Sequence, residues 1–378
     1  MTRRETLGLL GAAAFAKAAV TPPTDLFVSG TGAYHTYRIP SLIPSKKGTL
    51  LAFCEGRRAG GGDSGDIDIL LRRSTDHGRT WSEPVTIVDM GADTVGNPCP
   101  VVDSKTGTIF LLLTSNPGNV TERQIIDQQI TEQSVPQTRQ VWIVSSGDDG
   151  VTWSKPREIT ESVKDPAWTW YATGPGVGIQ LRGGRLVIPC DHVQAGTKEM
   201  YSHCIFSDDN GRTWRHGGRT SGKTNECQVA ELRDGSLLLN MRSYAGQNRR
   251  AMARSSDGGV TWGAVELDPA LVEPVCQASL LRVGTWLLFS NPASLKRENL
   301  TVRVSRDDGK TWPFRLVLEP GPAAYSCLAQ VSRATFACLY ERGAKTPYER
   351  ISLAFFGPTD LVQTRAFSSL GSKPATAL

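Results

Sequence analysis

Short apolar runs, each closed by polar or turn-forming residues, recur along the whole chain. Examples are Leu50-Leu51-Ala52-Phe53-Cys54, Gln140-Val141-Trp142-Ile143-Val144, Leu237-Leu238-Leu239-Asn240-Met241, Leu300-Thr301-Val302-Arg303-Val304 and Thr335-Phe336-Ala337-Cys338-Leu339. Runs this short, rich in β-branched and aromatic residues and bounded by Gly, Asp and Pro, predict strands. No segment of useful length repeats with the period of a helix, so the pattern predicts an all-β protein.

The turns between these runs carry a repeat. The pattern Ser-x-Asp-x-Gly-x-Thr-Trp occurs five times, at Ser74 to Trp81, Ser146 to Trp153, Ser207 to Trp214, Ser255 to Trp262 and Ser305 to Trp312. The aspartate can bind backbone N–H groups and the glycine can take a positive φ, which makes the motif a hairpin. The Thr-Trp pair then opens the next strand, with the indole covering the turn. Successive copies start 72, 61, 48 and 50 residues apart. Roughly 350 residues divided by a period of about 58 give about six units, each long enough for a four-stranded blade. The expectation is therefore a six-bladed β-propeller of four-stranded antiparallel blades, with one blade lacking the motif. Asp76, Asp148, Asp209, Asp257 and Asp307 are read as hairpin staples and not as catalytic acids.

Composition narrows the class. The 378 residues are 39% hydrophobic and 21% charged, with a net charge of +5, which fits an ordinary globular protein. No run of Lys and Arg of the kind that tracks a phosphate backbone is present, so nucleic acid is not an expected partner. The eight cysteines show no C-x-x-C spacing and mostly sit in apolar runs, which predicts buried free thiols, with disulfides as the alternative in an oxidising compartment. The five histidines have no ligand spacing, so no metal is expected.

Residues 1–19 read as an export signal. Arg3-Arg4 precedes the apolar stretch Leu7 to Ala16, and Ala16-Lys17-Ala18 supplies small residues for cleavage. Thr2 before the arginine pair suggests the twin-arginine route, although Thr6 stands where that motif usually has phenylalanine. An ordinary secretory signal is the alternative. No later run reaches the length of a spanning helix. Residues 20–378 are then expected to form a single exported domain, periplasmic or secreted, with no integral membrane segment.

Outside the boxes, charged and polar residues sit in unusual settings within or beside the apolar runs. They are Arg38 in Tyr37-Arg38-Ile39-Pro40, Glu55 and Arg57 after the Leu50 run, and Asp63 in the glycine-rich Gly60-Gly61-Gly62-Asp63-Ser64-Gly65. Others are Asn97 in Gly96-Asn97-Pro98, Glu226 in Asn225-Glu226-Cys227-Gln228, Arg242, Arg303, Tyr325 in Ala323-Ala324-Tyr325-Ser326-Cys327, and Glu341 after Tyr340. The order of these motifs, together with Tyr171-Ala172-Thr173-Gly174-Pro175-Gly176 and the five boxes, resembles the exo-α-sialidase (neuraminidase) family over nearly the whole mature chain. The boxes match that family's Asp-boxes, which also occur in other propellers.

The resemblance implies a retaining hydrolase that removes terminal sialic acid from glycoconjugates through a tyrosyl-enzyme intermediate, without a cofactor. Arg38, Arg242 and Arg303 match the family's arginine triad, which grips the carboxylate on the anomeric carbon. Planar bidentate donors that stay charged suit that task. Glu341 matches the residue bracing Arg38. Tyr325 matches the nucleophile, Glu226 its base and Asp63 the general acid, with Asp66 and Asp68 as nearby competitors for that last role at the onset of the following strand. A neutral phenol avoids the repulsion that a carboxylate nucleophile would meet from the substrate's own carboxylate. Asp63 is expected to have a raised pKa in a partly dry mouth. Arg57 and Asn97 match contacts to a ring hydroxyl. Tyr171, Trp168 and Trp170 are candidates for the pocket of the C5 substituent. The family's common Tyr-Ser-Asp is here Tyr325-Ser326-Cys327. Two other functions stay open: a non-catalytic carbohydrate-binding propeller, and transfer, or hydrolysis of a related nonulosonic acid lacking the N-acetyl group.

Overall fold

The computed structural model describes residues 22–129 and 138–362, so the expected export signal lies outside the described residues. Strand β1 (Thr24–Val28) pairs with the last strand of the chain. Between them, strands follow one another in antiparallel groups of four. The first group is β2 (Thr36–Pro44), β3 (Leu50–Arg57), β4 (Ile67–Ser74) and β5 (Val85–Val88). The second is β6 (Thr94–Val102), β7 (Ile109–Asn116), β8 (Gln140–Ser146) and β9 (Arg157–Glu158). The third is β10 (Trp168–Thr173) with β11 (Ile179–Gln180), then β12 (Leu186–Gln194), β13 (Met200–Ser207) and β14 (Arg215–Arg219). The fourth is β15 (Thr224–Glu231), β16 (Leu237–Ser243), β17 (Arg249–Ser255) and β18 (Glu266–Val272). The fifth is β19 (Ser279–Val283), β20 (Trp286–Pro292), β21 (Glu298–Ser305) and the first half of β22 (Phe314–Ser332). The second half of β22 pairs with β23 (Thr335–Arg342), then β24 (Arg350–Phe356), then β1. Among the described residues, helices are confined to short turns: α1 (Glu122–Ile126), α2 (Thr160–Val163) and α3 (Pro358–Val362).

Hydrogen bonding joins these groups into four sheets. Groups one and two share a sheet through a single parallel pair, Ile67 with Thr94, and β22 runs through both of the last two groups. The first strands of the groups touch in cyclic order: β2, β6, β12 beside β10, β15, β19, β22, and back to β2. The protein is all-β, in a propeller-like arrangement of sheets.

Stacking explains why the apolar runs are continuous and not alternating. Every residue of β3 and of β7 is buried. Leu50, Ala52 and Cys54 of β3 point into one cluster with Leu339 and Leu353, while Leu51 and Phe53 point into another with Ile109 and Leu111. A strand covered on both faces needs apolar side chains at every position.

The five boxes tie neighbouring groups together. In the first, Ser74 Oγ donates to Asp76 Oδ1 (2.8 Å) and accepts the Gly78 N–H (2.8 Å), while Asp76 accepts the Thr80 N–H (2.9 Å) and hydroxyl (2.6 Å). Those threonine bonds hold the Asp76 carboxyl far below the usual range. The box glycine is required twice over. At Gly150 φ is +79°, and a Cβ there would stand 2.3 Å from Leu51 Cδ2 of the preceding group; at Gly211, Phe110 of the preceding group occupies the same place. All five boxes close the third-to-fourth strand hairpin, so they all lie at one end of the strands. All eight cysteines are buried and unpaired.

Candidate active site

At the strand ends opposite the boxes, a polar cavity of about 180 Å³ is lined by Arg38, Arg57, Asp63, Asn97, Glu226, Arg242, Arg297 and Tyr325, among others. Its wall follows a positional rule. Most of the lining comes from first strands, the ends of second strands and the residue just before third strands, with Asp63, Glu122 and Tyr244 added from the connections. Arg38, Asn97, Trp170, Glu226 and Tyr325 are on first strands, Arg57, Asp191 and Arg242 on second strands, and Arg139 and Arg297 immediately precede β8 and β21.

Bulges aim the first-strand residues. The register with the neighbouring strand slips between Arg38 and Ser41, Gly96 and Cys99, Trp168 and Tyr171, Thr224 and Cys227, and Ala323 and Ser326. Each slip spans or adjoins a residue that lines the cavity. The regular strand β19 carries none. An extra residue in a strand bends it and re-aims a side chain, which is how bulges serve sites. Two of the bulges hold non-glycine residues in the left-handed region, Ile39 at φ 60° and Asn97 at φ 57°. For β-branched Ile39 that is a strained conformation, held by its N–H donating to Glu341 Oε1 at 2.9 Å.

Three groups meet at the centre. Tyr325 Oη donates to Glu226 Oε1 at 2.5 Å, and Arg242 Nη1 donates to Glu226 Oε2 at 2.9 Å and to Tyr325 Oη at 3.4 Å. Burial and the Glu226 carboxylate drive the Tyr325 pKa well above its ordinary value, against the pull of Arg242 and Arg38. The phenol is therefore neutral at rest, with a carboxylate poised to take its proton.

Glu341 is fully buried behind this centre and does not line the cavity. It accepts from Arg38 Nε (2.7 Å), from the Ile39 N–H, and from the Tyr325 N–H (3.1 Å). It braces Arg38 from behind the cavity and is a positioning residue, not part of the binding surface.

Arg303 is displaced from its expected role. It lies two residues before Ser305, which opens the fifth box, so it belongs to the box end of β21 and does not reach the cavity. Six residues separate it from Arg297, at most about 20 Å at 3.3 Å per residue. The third arginine around Tyr325, after Arg38 and Arg242, is Arg297. Its Nη1 donates to Tyr348 Oη at 2.7 Å, and Arg38 lies over the same ring with Cζ 4.3 Å from its centroid. Tyr348 thus holds two cations that would otherwise repel.

Asp63 projects from its loop with 70% of its side chain exposed, 2.7 Å from Arg57 Nη1. Burial acts to raise its pKa, but Arg57 and Arg38 outweigh it and the net shift is downward, opposite to the expectation. The arginines favour the ionised form of this carboxyl. Arg57 also binds Glu55 and the carbonyls of Gly61 and Gly62, which fixes the loop. Asn97 reaches the cavity while its N–H donates to Glu55 Oε1 at 2.8 Å.

Of the three aromatic candidates, Trp170 alone lines the cavity. Trp168 stacks on His192 (3.7 Å between centroids), and Tyr171 is buried with its hydroxyl 3.1 Å from His203 Nε2. Residues without an expected role also line it: Glu122, Arg139, Asp191, Asn225 and Tyr244. Burial first, then Glu226 and Glu122, raise the Asp191 pKa well above the usual range. No group of three or more His, Cys, Asp or Glu side chains suited to a metal occurs among the described residues.

A cavity that gathers three arginines around a tyrosine–carboxylate pair has the charge and shape to suit a small anion. Comparisons with known proteins identify the class of protein. The BNR repeat-like domain family matches residues 48–338. A sialidase of Micromonospora viridifaciens is 37% identical over 356 residues, covering 88% of this chain and 54% of that protein. The chain thus spans about half the length of that relative. Mouse sialidase-2 is 32% identical, with 85% of this chain and 92% of that protein covered. Among solved structures, the Hadza microbial sialidase Hz136 superposes with a TM-score of 0.82 at 33% identity, covering 90% of this chain and 69% of that one. The chain belongs to the sialidase family.

Proposed function

We propose that this protein is a retaining exo-α-sialidase acting on sialylated glycans. The observation that carries the reading is the 2.5 Å contact of Tyr325 with Glu226 inside a ring of arginines. Arg38, Arg242 and Arg297 take the substrate carboxylate, which neutralises charge that now depresses the Asp63 pKa and frees that carboxyl to carry a proton. Tyr325 Oη attacks the anomeric carbon as Glu226 removes its proton, and the bond to the aglycone oxygen breaks as Asp63 protonates it. Water, deprotonated by Asp63, then displaces tyrosine, which regains its proton from Glu226. Two inversions at one carbon give net retention. Arg242, 3.4 Å from the phenol oxygen, stabilises its developing charge.

The fold reading that goes with this is a six-bladed propeller of four-stranded blades forming one domain over residues 20–378. The cyclic contact of first strands and the box-to-neighbour packing support it. Export through the leader at 1–19, to the periplasm or beyond, completes the proposal; the paired arginines and small-residue cleavage site support it. No cofactor enters the mechanism. A pure lectin has no use for a phenol hydrogen-bonded to a carboxylate, so the catalytic reading is favoured over the binding one.

The test is turnover of a fluorogenic sialoside, followed by proton NMR of the sugar first released. Release of the α-anomer ahead of mutarotation is expected. First release of the β-anomer excludes the double displacement, and no turnover of any nonulosonic acid glycoside sinks the hydrolase.

A further inference from the structure

The main chain on both sides of Tyr325 is held by side chains, one of which reaches it from the neighbouring strand group. Tyr325 lies in the β22 bulge between Ala323 and Ser326, where the ladder to β23 slips. The peptide entering Tyr325 is held by Glu341, which accepts its N–H at 3.1 Å. The peptide leaving it is held by Gln277, two residues ahead of β19, whose Oε1 accepts the Ser326 N–H at 3.0 Å. Gln277 Nε2 donates to the Ser326 carbonyl at 3.1 Å and to the Pro175 carbonyl at 3.1 Å. With both flanking peptides fixed, the direction of the Tyr325 Cα–Cβ bond is fixed as well. A small rotation at the Cα would be magnified at the phenol oxygen.

The chemistry of this contact is specific. Strands β19 and β22 are not paired, so main-chain groups of β22 that face away from β23 find no strand to bond. Left bare in a buried site, each would be costly. A hydroxyl can cap one such group, as Ser279 Oγ does for the Leu328 N–H at 2.9 Å. At Ser326 the partner is a primary amide, whose planar edge matches a peptide N–H and carbonyl together. Only one orientation fits, since a flipped amide would set its NH2 against the Ser326 N–H and its oxygen against two carbonyls. The approach of Gln277 is itself over-determined. Fully buried Arg250, paired with Glu273, donates to the Cys276 carbonyl at 2.7 Å. Just before it, β-branched Val275 is held at φ 53°, a strain that persists only where the surroundings enforce it. Gln277 is 1% exposed and does not line the cavity, so it acts on the site through Tyr325 alone.

We infer that Gln277 is a positioning residue that aims Tyr325 for attack by pinning the peptide that follows it. The inference rests on the sialidase reading of the site. Its test measures the rate of covalent labelling by a 2,3-difluoro nonulosonic acid in wild type, Gln277→Leu and Gln277→Glu. Calorimetric Kd values of the 2,3-dehydro acids, N-acetyl and 5-hydroxy forms alike, are measured in parallel. Gln277→Leu keeps the bulk of the side chain and loses all three hydrogen bonds. Its labelling rate and kcat should fall about tenfold or more, with Kd within about threefold of wild type because the arginines are untouched. Gln277→Glu, when ionised, sets a carboxylate against two carbonyls. When protonated, it can donate to one of them and still accept the Ser326 N–H. Its labelling rate relative to wild type should therefore rise about fivefold or more as pH is lowered from about 8 to about 5. A side chain that only supports the fold would give neither the split between rate and Kd nor the rescue by acid. Labelling of Gln277→Leu within about twofold of wild type overturns the inference, and so does a loss in Kd as large as the loss in rate. If the leucine variant does not fold, the glutamate variant decides, and a rate ratio flat with pH overturns the inference. Wild type that is neither labelled nor turns over any nonulosonic acid glycoside removes the sialidase reading together with this role. Wild type that is labelled, with the variants failing as described, removes this role alone.

Discussion

Replacing Glu341 by glutamine tests the core of the site without touching its surface. The carboxylate is fully buried and accepts from Arg38 Nε and Nη2 (2.7 and 3.4 Å), the Ile39 N–H (2.9 Å) and the Tyr325 N–H (3.1 Å). An amide keeps one oxygen. Its NH2 must then face either the Arg38 fork with the Ile39 N–H, or the Tyr325 N–H, donor against donor. Removing one partner of a buried ion pair costs about 3–5 kcal/mol, and the hydrogen bonds that glutamine retains return about 1 kcal/mol. The expected loss is thus about 2–4 kcal/mol, read from the urea midpoint by tryptophan fluorescence with the m-value unchanged. Because the same carboxylate sets Arg38 and the Tyr325 backbone, KM should rise and kcat fall together. An unchanged midpoint with KM within about twofold of wild type would refute the bracing role.

Two further outcomes follow from the same geometry. Arg297→Ala should weaken binding of the 2,3-dehydro acids about a hundredfold, the loss of a charge-assisted pair, whereas Arg303→Ala should leave it within about threefold; the reverse ranking would restore Arg303 to the site. Asp191 carries a raised pKa in the fold, so its contribution to stability is full below the unfolded carboxylate pKa and is lost as pH rises toward the folded value. Asp191→Asn should therefore gain stability relative to wild type between acid and neutral pH, keeping the Asn225 bond that Oδ1 now accepts; a difference that is flat with pH would show that Asp191 is ionised in the fold.

Much of this was legible in the sequence because the boxes fix both the period and the polarity of the strands. Their spacing carried the architecture, and every box aspartate proved to be a staple. The same boxes could have corrected the arginine assignment. Arg303 is two residues from Ser305, and a residue that close to a box belongs to the wrong end of its strand. Arg297, just ahead of the third strand, has the position that Arg139 has in the second group. What hid these two is that each stands just ahead of an apolar run and interrupts none. The aromatic cluster failed for a different reason. In β10 the register slips between Trp168 and Tyr171, so Trp170 turns to the cavity while its neighbours turn to His192 and His203. A bulge reverses facing without changing composition. The sign of the Asp63 shift was likewise beyond the sequence, since it depends on where Arg57 and Arg38 aim their charge and not on how dry the loop is.

The central claim is that Tyr325 is the atom donor to a covalent glycosyl-enzyme. The most direct measurement is intact-protein and peptide mass spectrometry after incubation with a 2,3-difluoro nonulosonic acid, a substrate whose second displacement is slowed. The account predicts one glycosyl adduct per chain, on the peptide bearing Tyr325, and none in Tyr325→Phe. An adduct on Glu226 or Asp63, or hydrolysis of the fluorosugar with no adduct at any time, would contradict it.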